Sequence, residues 1–475
     1  MPAIRKEKLY VNGEFVRSKD YNTVTDPYTG EVIALSPVAD ASMLDRAMES
    51  AANAFKPFAR LSRDQRSEML HKIARGIAKD AEGFARLISR EGGKPIKLAR
   101  GEVDRSIVTC RLAAEEAIRL GGEWLPLDIQ PGSRDYTALV GRVPLGPTLA
   151  IGPFNFPLNL IMHKLAPAIA VGCPAIIKPS SETPLTALKL ARVCHDAGLP
   201  PGAVQVTPCP GPSFERLIMD DRAKMLSFTG SARVGWNLKA IAGRKRVTLE
   251  LGGNAAVAVH EDADLEFAAN RIAFGGFAHA GQICISVQRV FIHEPIYESF
   301  VKMLLRETRK IKVGDPSDED TVVGPMITEA EADRVEAWVR EAMDSGATAL
   351  LKLHRSGLVL SPVILANVPR DAKVYASEVF GPVIVLAPYR TWDEALHLIN
   401  DSKYGLQAGI FTRDINRINS AYREIEVGAV IANDIPTVRV DNYPYGGMKD
   451  SGQGREGVRC TMNEMTEEKV LVLRV

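Results

Sequence analysis

The chain has 475 residues, of which 46% are apolar and 25% charged, the balance of an ordinary globular protein rather than a disordered one. Fifty-nine Lys and Arg against 58 Asp and Glu leave a formal net charge of +1, which argues against a dedicated nucleic-acid binder. No stretch reads as a membrane span: the most apolar one, Leu158 to Ile177, is interrupted by His163, Lys164, Pro167 and Pro174.

Met1 to Tyr10 lacks the apolar core of a secretory signal. Short apolar runs between Leu9 and Ile33, broken at Asn12-Gly13 and Tyr28-Thr29-Gly30, predict strands and turns. Helices are expected over Asp40 to Arg60, over Arg63 to Glu91 with a stop at Gly92-Gly93, and over Lys97 to Leu120. From Val143 the rhythm changes. Thr148 to Gly152, Ala175 to Lys178, Ala203 to Thr207 and Met225 to Thr229 read as strands, with helical stretches such as Pro184 to Ala197 between them. That alternation predicts βαβ units and a parallel sheet. A second run follows, with strands at Val247 to Leu251, Ala255 to Val259, Val290 to His293 and Ala429 to Ala432. Two α/β units are therefore expected, divided near Thr248. Leu471 to Val475 is an apolar strand that must pair with this chain or another.

The six cysteines, Cys110, Cys173, Cys194, Cys209, Cys284 and Cys460, are scattered, without a CxxC pair or a His cluster. Neither a disulfide framework nor a metal site is predicted, and a cytoplasmic location is expected. Four short segments carry chemistry. Gly281-Gln282-Ile283-Cys284 could present a nucleophilic thiol or a buried structural one. Glu250-Leu251-Gly252-Gly253 ends a strand with a carboxylate beside a close backbone approach, or with a surface Glu before a turn. Pro153-Phe154-Asn155-Phe156-Pro157 sets an amide among aromatic rings. Phe228-Thr229-Gly230-Ser231 runs from a strand into a helix N-terminus, where free N–H groups favour phosphate.

Taken together, the chain resembles the aldehyde dehydrogenase superfamily. The matching segments occur in the family's order: PFNFP at 153–157, IIKPSSETP at 176–184, FTGS at 228–231, ELGG at 250–253, GQIC at 281–284, EVFGP at 378–382, YGLQAGIF at 404–411 and PYGGMKDSGQGREG at 444–457. The resemblance implies an α/β aldehyde dehydrogenase fold. A Rossmann-like cofactor domain would span 1–127 and 144–248, an α/β catalytic domain 249–457, and a small β oligomerisation unit 128–143 and 458–475.

By resemblance, Cys284 is the nucleophile, Asn155 holds the oxyanion with the Cys284 backbone N–H, and Glu250 activates water or takes the thiol proton. Lys164 and Glu456 correspond to a proposed proton relay. Relatives that transfer the acyl group to coenzyme A lack the glutamate, so a free acid is the implied product. The implied cofactor is NAD or NADP. Lys178 would bind the adenine-ribose hydroxyls, Ser231 the pyrophosphate and Glu378 the nicotinamide ribose, with Phe154 and Phe380 flanking the nicotinamide. Ile151, Pro153, Gly211, Phe228, Gly230, Val234 and Leu251 would complete the cofactor surface. Ser181 stands where NAD-selective relatives often carry a glutamate, which permits NADP; Glu215 could restore some repulsion.

Phe156 falls on the implied substrate tunnel. His163, Arg105, Arg111 and Arg439 would bring positive charge there, suiting a small aldehyde with an anionic or hydroxyl tail. The alternative for each is a solvated helix face or an internal ion pair. CISVQRV at 284–290 and NDIPTVRVDNYPYGG at 433–447 resemble a subgroup acting on lactaldehyde, phosphonoacetaldehyde or, without phosphorylation, glyceraldehyde 3-phosphate; a semialdehyde also fits. A scaffold role on the same fold and broad activity on apolar aldehydes are the competing readings. The implied partners are a small-molecule aldehyde and further copies of the chain, as a homodimer or homotetramer, with no nucleic acid, membrane or metal.

Overall fold

A computed structural model of the protein describes residues 4–474. Leu9–Val11 and Glu14–Val16 form an antiparallel hairpin across Asn12-Gly13, whose two positive φ angles match the twist of the strands. The helix Ala41–Ala59 starts where the Asp40 carboxylate accepts the Met43 N–H at 2.8 Å. The single helix expected over 63–91 is two, Arg63–Lys79 and Ala81–Gly92, because Asp80 leaves helical geometry at φ −124°, ψ 37°. The next helix, Ile96–Arg119, is the longest.

The first large sheet has eight strands, and its centre is parallel. In spatial order these strands are Val204–Val206, Ala175–Lys178, Thr148–Ile151, Met225–Thr229 and Arg246–Glu250. Numbered along the chain, they lie in the order 3-2-1-4-5. Connections from the first strand run one way and those to the fourth run the other, which opens a crevice beyond Ile151 and Thr229 at the strands' carboxyl ends. The second sheet has seven strands and is parallel apart from its edge strand Thr348–Leu351. Its own apolar core contains Phe277, Phe291, Phe300 and Phe411. The chain passes between the sheets from Glu250 to Ala256, so the Leu251–Gly253 segment sits at their junction.

The third sheet is antiparallel, with Thr466–Arg474 pairing Tyr136–Pro144 over nine residues and Glu123–Pro126 on its other side. The terminal strand thus finds its partner within the chain, and its second edge stays open; Val475 lies outside the described residues. Residues 458–465 do not belong with this sheet. Val458, Met462 and Met465 pack in the first core, against the helix Asn159–Val171, because their apolar face is covered there. No helix among the described residues is long and apolar enough to cross a membrane.

Candidate active site

The segment that presents Cys284 has unusual backbone. After the helix Leu265–Phe277, three successive residues have positive φ: His279 at 53°, Ala280 at 54° and Gly281 at 68°. Only glycine fits position 281, since a Cβ there would lie 2.1 Å from the Gly381 carbonyl oxygen. Two non-glycine residues in this region store strain, and the surrounding contacts must hold it. Gln282 supplies several. Its amide nitrogen donates to the carbonyls of His279 and Pro325, each at 3.2 Å, and its oxygen accepts the Ile327 N–H at 2.9 Å. Cys284 emerges half-buried, with its sulfur 3.2 Å from the Tyr445 hydroxyl. Burial pushes the thiol up to about 11, against smaller opposing effects of Tyr445 and Arg439.

Asn155 comes from the loop after the strand Thr148–Ile151, at the crevice. Its side-chain nitrogen donates to the Gln282 carbonyl at 2.9 Å, which leaves one amide hydrogen for a ligand. The main chain of this loop is clamped by a pair that sequence reading missed. Lys94 Nζ donates to the Asn155 carbonyl at 2.8 Å and to Glu102 at 2.7 Å. The other oxygen of Glu102 accepts the N–H groups of Leu158 and Asn159, at 2.8 and 3.1 Å. Both side chains are buried, and burial draws Lys94 down to about 8. Lys94 also lies 3.4 Å above the Phe156 ring, which closes this side of the loop.

Glu250 ends the last parallel strand of the first sheet. It is buried, and neither carboxylate oxygen has a partner among the described residues. Burial first, and then the nearby Glu456 charge, hold it well above the usual carboxylate range. Such a group is a ready proton acceptor. Glu456 differs. Burial would raise it too, but Lys164, 2.9 Å away, and the Arg439 guanidinium outweigh this and hold it ionised well below that range. Lys164 also donates to the Thr229 hydroxyl at 2.7 Å.

The crevice residues fit a dinucleotide. Ser231 is the N-cap of the helix Ala232–Ile241, and its hydroxyl makes no capping bond, so the first-turn N–H groups around Val234 remain available to a pyrophosphate. Gly230 precedes it, and Phe228, Ile151 and Leu251 form the apolar floor beneath. Lys178 is buried, donates only a long bond to the Pro179 carbonyl at 3.3 Å, and is lowered by burial; ribose hydroxyls would relieve it. Ser181 and Glu182 stand exposed on the following loop. Gly211 opens the helix Gly211–Met219, which carries Glu215. Across the crevice, the Phe154 and Phe380 rings meet edge to face at 5.8 Å, next to Pro153. Glu378 accepts the Gly253 N–H at 2.9 Å, and burial raises it to about 7. A Cβ at Gly253 would meet the Cys284 carbonyl oxygen at 2.3 Å, so the ELGG turn packs directly on the cysteine loop.

Residues 15–471 match the model of the "Aldehyde dehydrogenase family". The chain is 45% identical over 473 residues to a 3-sulfolactaldehyde dehydrogenase of Priestia aryabhattai, covering 99% of each. The chain belongs to the aldehyde dehydrogenase family. The crystal structure of aldehyde dehydrogenase 21 from Physcomitrella patens, in complex with the reaction product succinate, superposes with a TM-score of 0.97 at 42% identity, covering 99% of both chains. That of the NADP-dependent glyceraldehyde-3-phosphate dehydrogenase from Bacillus halodurans, complexed with NADP, superposes at 0.96 with 34% identity, again over 99% of both. The protein therefore has the aldehyde dehydrogenase fold and is an NAD(P)-dependent, aldehyde-oxidising oxidoreductase.

The substrate side of this aldehyde dehydrogenase departs from the expected cluster of free positive charge. His163 is buried, the Arg439 side chain is 6% exposed, and both are already partnered. His163 Nε2 lies 2.8 Å from Asp441, and Arg439 pairs with Glu456 while stacking 3.8 Å from the Tyr445 ring centroid. Arg111 is exposed on a different face of the helix Ile96–Arg119 from Arg105. Asp441, overlooked in the sequence, is the reason: it accepts from Arg105, His163 and Asn159, and these partners outweigh its burial and hold it ionised well below its usual range. Arg105, with a side chain 29% exposed and Nε and Nη2 on Asp441, keeps its remaining guanidinium hydrogens unpaired, and it lies over the Phe156 ring at 5.9 Å. Tyr443, Ile283, Ile285 and Phe274 supply apolar surface around Cys284.

Proposed function

We propose that the enzyme oxidises a short aldehyde with an anionic or hydroxylated tail to the free carboxylic acid. The observation that carries this reading is the meeting of a Cys284 thiol, the Asn155 amide and a buried, unpartnered Glu250 carboxylate around one junction. Glu250 accepts the thiol proton, and the sulfur bonds to the aldehyde carbon. The oxyanion of the resulting thiohemiacetal is held by the Asn155 side-chain N–H and the Cys284 backbone N–H. A nicotinamide held by Glu378, Phe154 and Phe380 would supply the hydride acceptor needed to take this adduct to a thioester. Glu250 then draws a proton from water, the hydroxide attacks the thioester carbon, and the acid leaves as the Cys284 thiol reforms. Lys164 and Glu456, paired behind Glu250, form the relay that returns its proton to solvent.

Lys178, Ser231, Glu378, Phe154 and Phe380 hold the cofactor in this reading. Ser181, with no carboxylate to repel a 2′-phosphate, admits NADP as well as NAD. An anionic tail is supported by Arg105 and by relatives whose names carry a sulfonate, succinate or a phosphate. The exposed apolar side chains of the third sheet, Trp124 at 72% and Val470 to Leu473, support a dimer or a tetramer of dimers formed over that sheet. The test is a panel of short aldehydes with NAD and with NADP, followed by absorbance of the reduced nicotinamide. Sulfolactaldehyde, succinic semialdehyde or another anionic aldehyde should exceed hexanal and benzaldehyde in kcat/KM. The reverse order would overturn the substrate class.

A further inference from the structure

The Tyr445 hydroxyl has a single hydrogen-bond partner among the described residues, the Cys284 sulfur at 3.2 Å. The residue is 3% exposed, and its neighbours Ala278, Ile283, Ile285 and Leu406 offer apolar side chains. A buried hydroxyl that donated to nothing would carry a heavy desolvation cost, so its hydrogen is directed at the sulfur. The ring has little freedom to turn away. Tyr445 and Glu456 exchange two backbone hydrogen bonds, at 2.7 and 2.6 Å, and the Arg439 guanidinium lies against the ring face. The next residue, Gly446, abuts Glu250: a Cβ there would stand 3.0 Å from Oε1. One short stretch of backbone thus touches both the nucleophile and the base.

We propose that Tyr445 is a further catalytic residue, a hydrogen-bond donor that holds the Cys284 thiolate as it forms. This rests on Cys284 being the nucleophile. When the thiol proton passes to Glu250, the S–H bond breaks, the tyrosine keeps its own proton, and its O–H donates to the anionic sulfur. As the S–C bond forms, the charge leaves sulfur for the oxyanion at Asn155, and the bond from Tyr445 weakens. The charged groups acting on the sulfur are Arg439, which favours the thiolate, and Glu378 and Glu250, which oppose it when ionised. The phenol is the neutral donor that works on the same side as Arg439 without adding charge to the substrate space.

The experiment is alkylation of the full-length enzyme by iodoacetamide as a function of pH, read by mass spectrometry on the peptide containing Cys284. In Tyr445→Phe, which keeps the ring and its packing, the midpoint for Cys284 should move upward by about one pH unit. Replacing Tyr445 with a fluorinated, more acidic tyrosine should move it downward, which guards against a folding defect in the Phe variant. A midpoint unmoved in both overturns the role of Tyr445 and leaves Cys284 intact as nucleophile. Turnover that survives in Cys284→Ala would instead overturn the nucleophile itself.

Discussion

Arg105 and Asp441 form a two-pronged ion pair, Nε at 3.0 Å and Nη2 at 2.7 Å, between residues 336 positions apart. The pair ties the helix Ile96–Arg119 to the loop that ends in Tyr443 and Tyr445. In the proposed reading it also limits the positive charge offered to substrate, because the carboxylate takes one edge of the guanidinium and leaves the other.

That free edge predicts a selective defect. Arg105→Leu should raise KM for an anionic aldehyde by about tenfold or more, the loss of a charge-assisted hydrogen bond, and change KM for propanal by less than about twofold. Steady-state kinetics on both substrates checks it. Equal effects on the two would mean that Arg105 only braces the loop.

The Lys94–Glu102 pair predicts a coupled loss. Glu102→Gln leaves a buried ammonium without its counter-charge and weakens the hold on Leu158 and Asn159. A stability loss of about 3–5 kcal/mol is expected, seen as a lower denaturation midpoint. Because Asn155 hangs from the same loop, kcat should fall at temperatures where the variant is still folded. Unchanged kcat would separate the clamp from the oxyanion donor.

The reach of the sequence follows from where partners sit. Asn155, Glu250 and Cys284 lie inside short motifs that read equally well as structural when taken singly, and their roles came from the ordered resemblance of eight segments; the contacts that seat them, Asn155 to Gln282 and Cys284 to Tyr445, are remote in sequence. The strands Ala175–Lys178 and Met225–Thr229 were legible locally, being apolar runs closed by Pro or Gly. Charge pairing across the fold was not. Nothing local marks Asp441 as the acceptor for Arg105 and His163, so an internal pairing stayed one of the open alternatives. The Gly-Gly-Lys94-Pro turn and the buried Glu102 were the available signals for the clamp, but an isolated Lys and Glu on a charged helix read equally well as solvated. Asp80 was likewise legible only as one more polar residue, although it divides two helices.

Opposite pH effects are expected at the two kinds of carboxylate. Glu250 and Glu378 are raised by burial, Glu378 to about 7, and both must be ionised to work, so kcat/KM should climb from pH 6 to pH 9. Asp441 and Glu456 are depressed in the folded state, so their stabilising contribution is complete above about pH 4 and is lost as pH falls below it. A pH–rate profile and an acid-unfolding curve check the pair. A profile flat over pH 6 to 9 would mean that turnover does not need Glu378 ionised.

Cofactor choice has its own variant. Ser181→Glu should lower kcat/KM with NADP by about tenfold or more while sparing NAD, through repulsion of the 2′-phosphate. If NADP kinetics are untouched, the ribose lies elsewhere.

The most direct test of the chemistry is to stop it after the first half. Glu250→Gln mixed with aldehyde and NAD(P) at alkaline pH, where part of the Cys284 thiol ionises without its base, then digested and weighed by mass spectrometry, should carry the acyl group of the substrate on the Cys284 peptide, because the base that activates water for deacylation is gone. Continued steady turnover in that variant, or an acyl group on any other residue, would contradict the account.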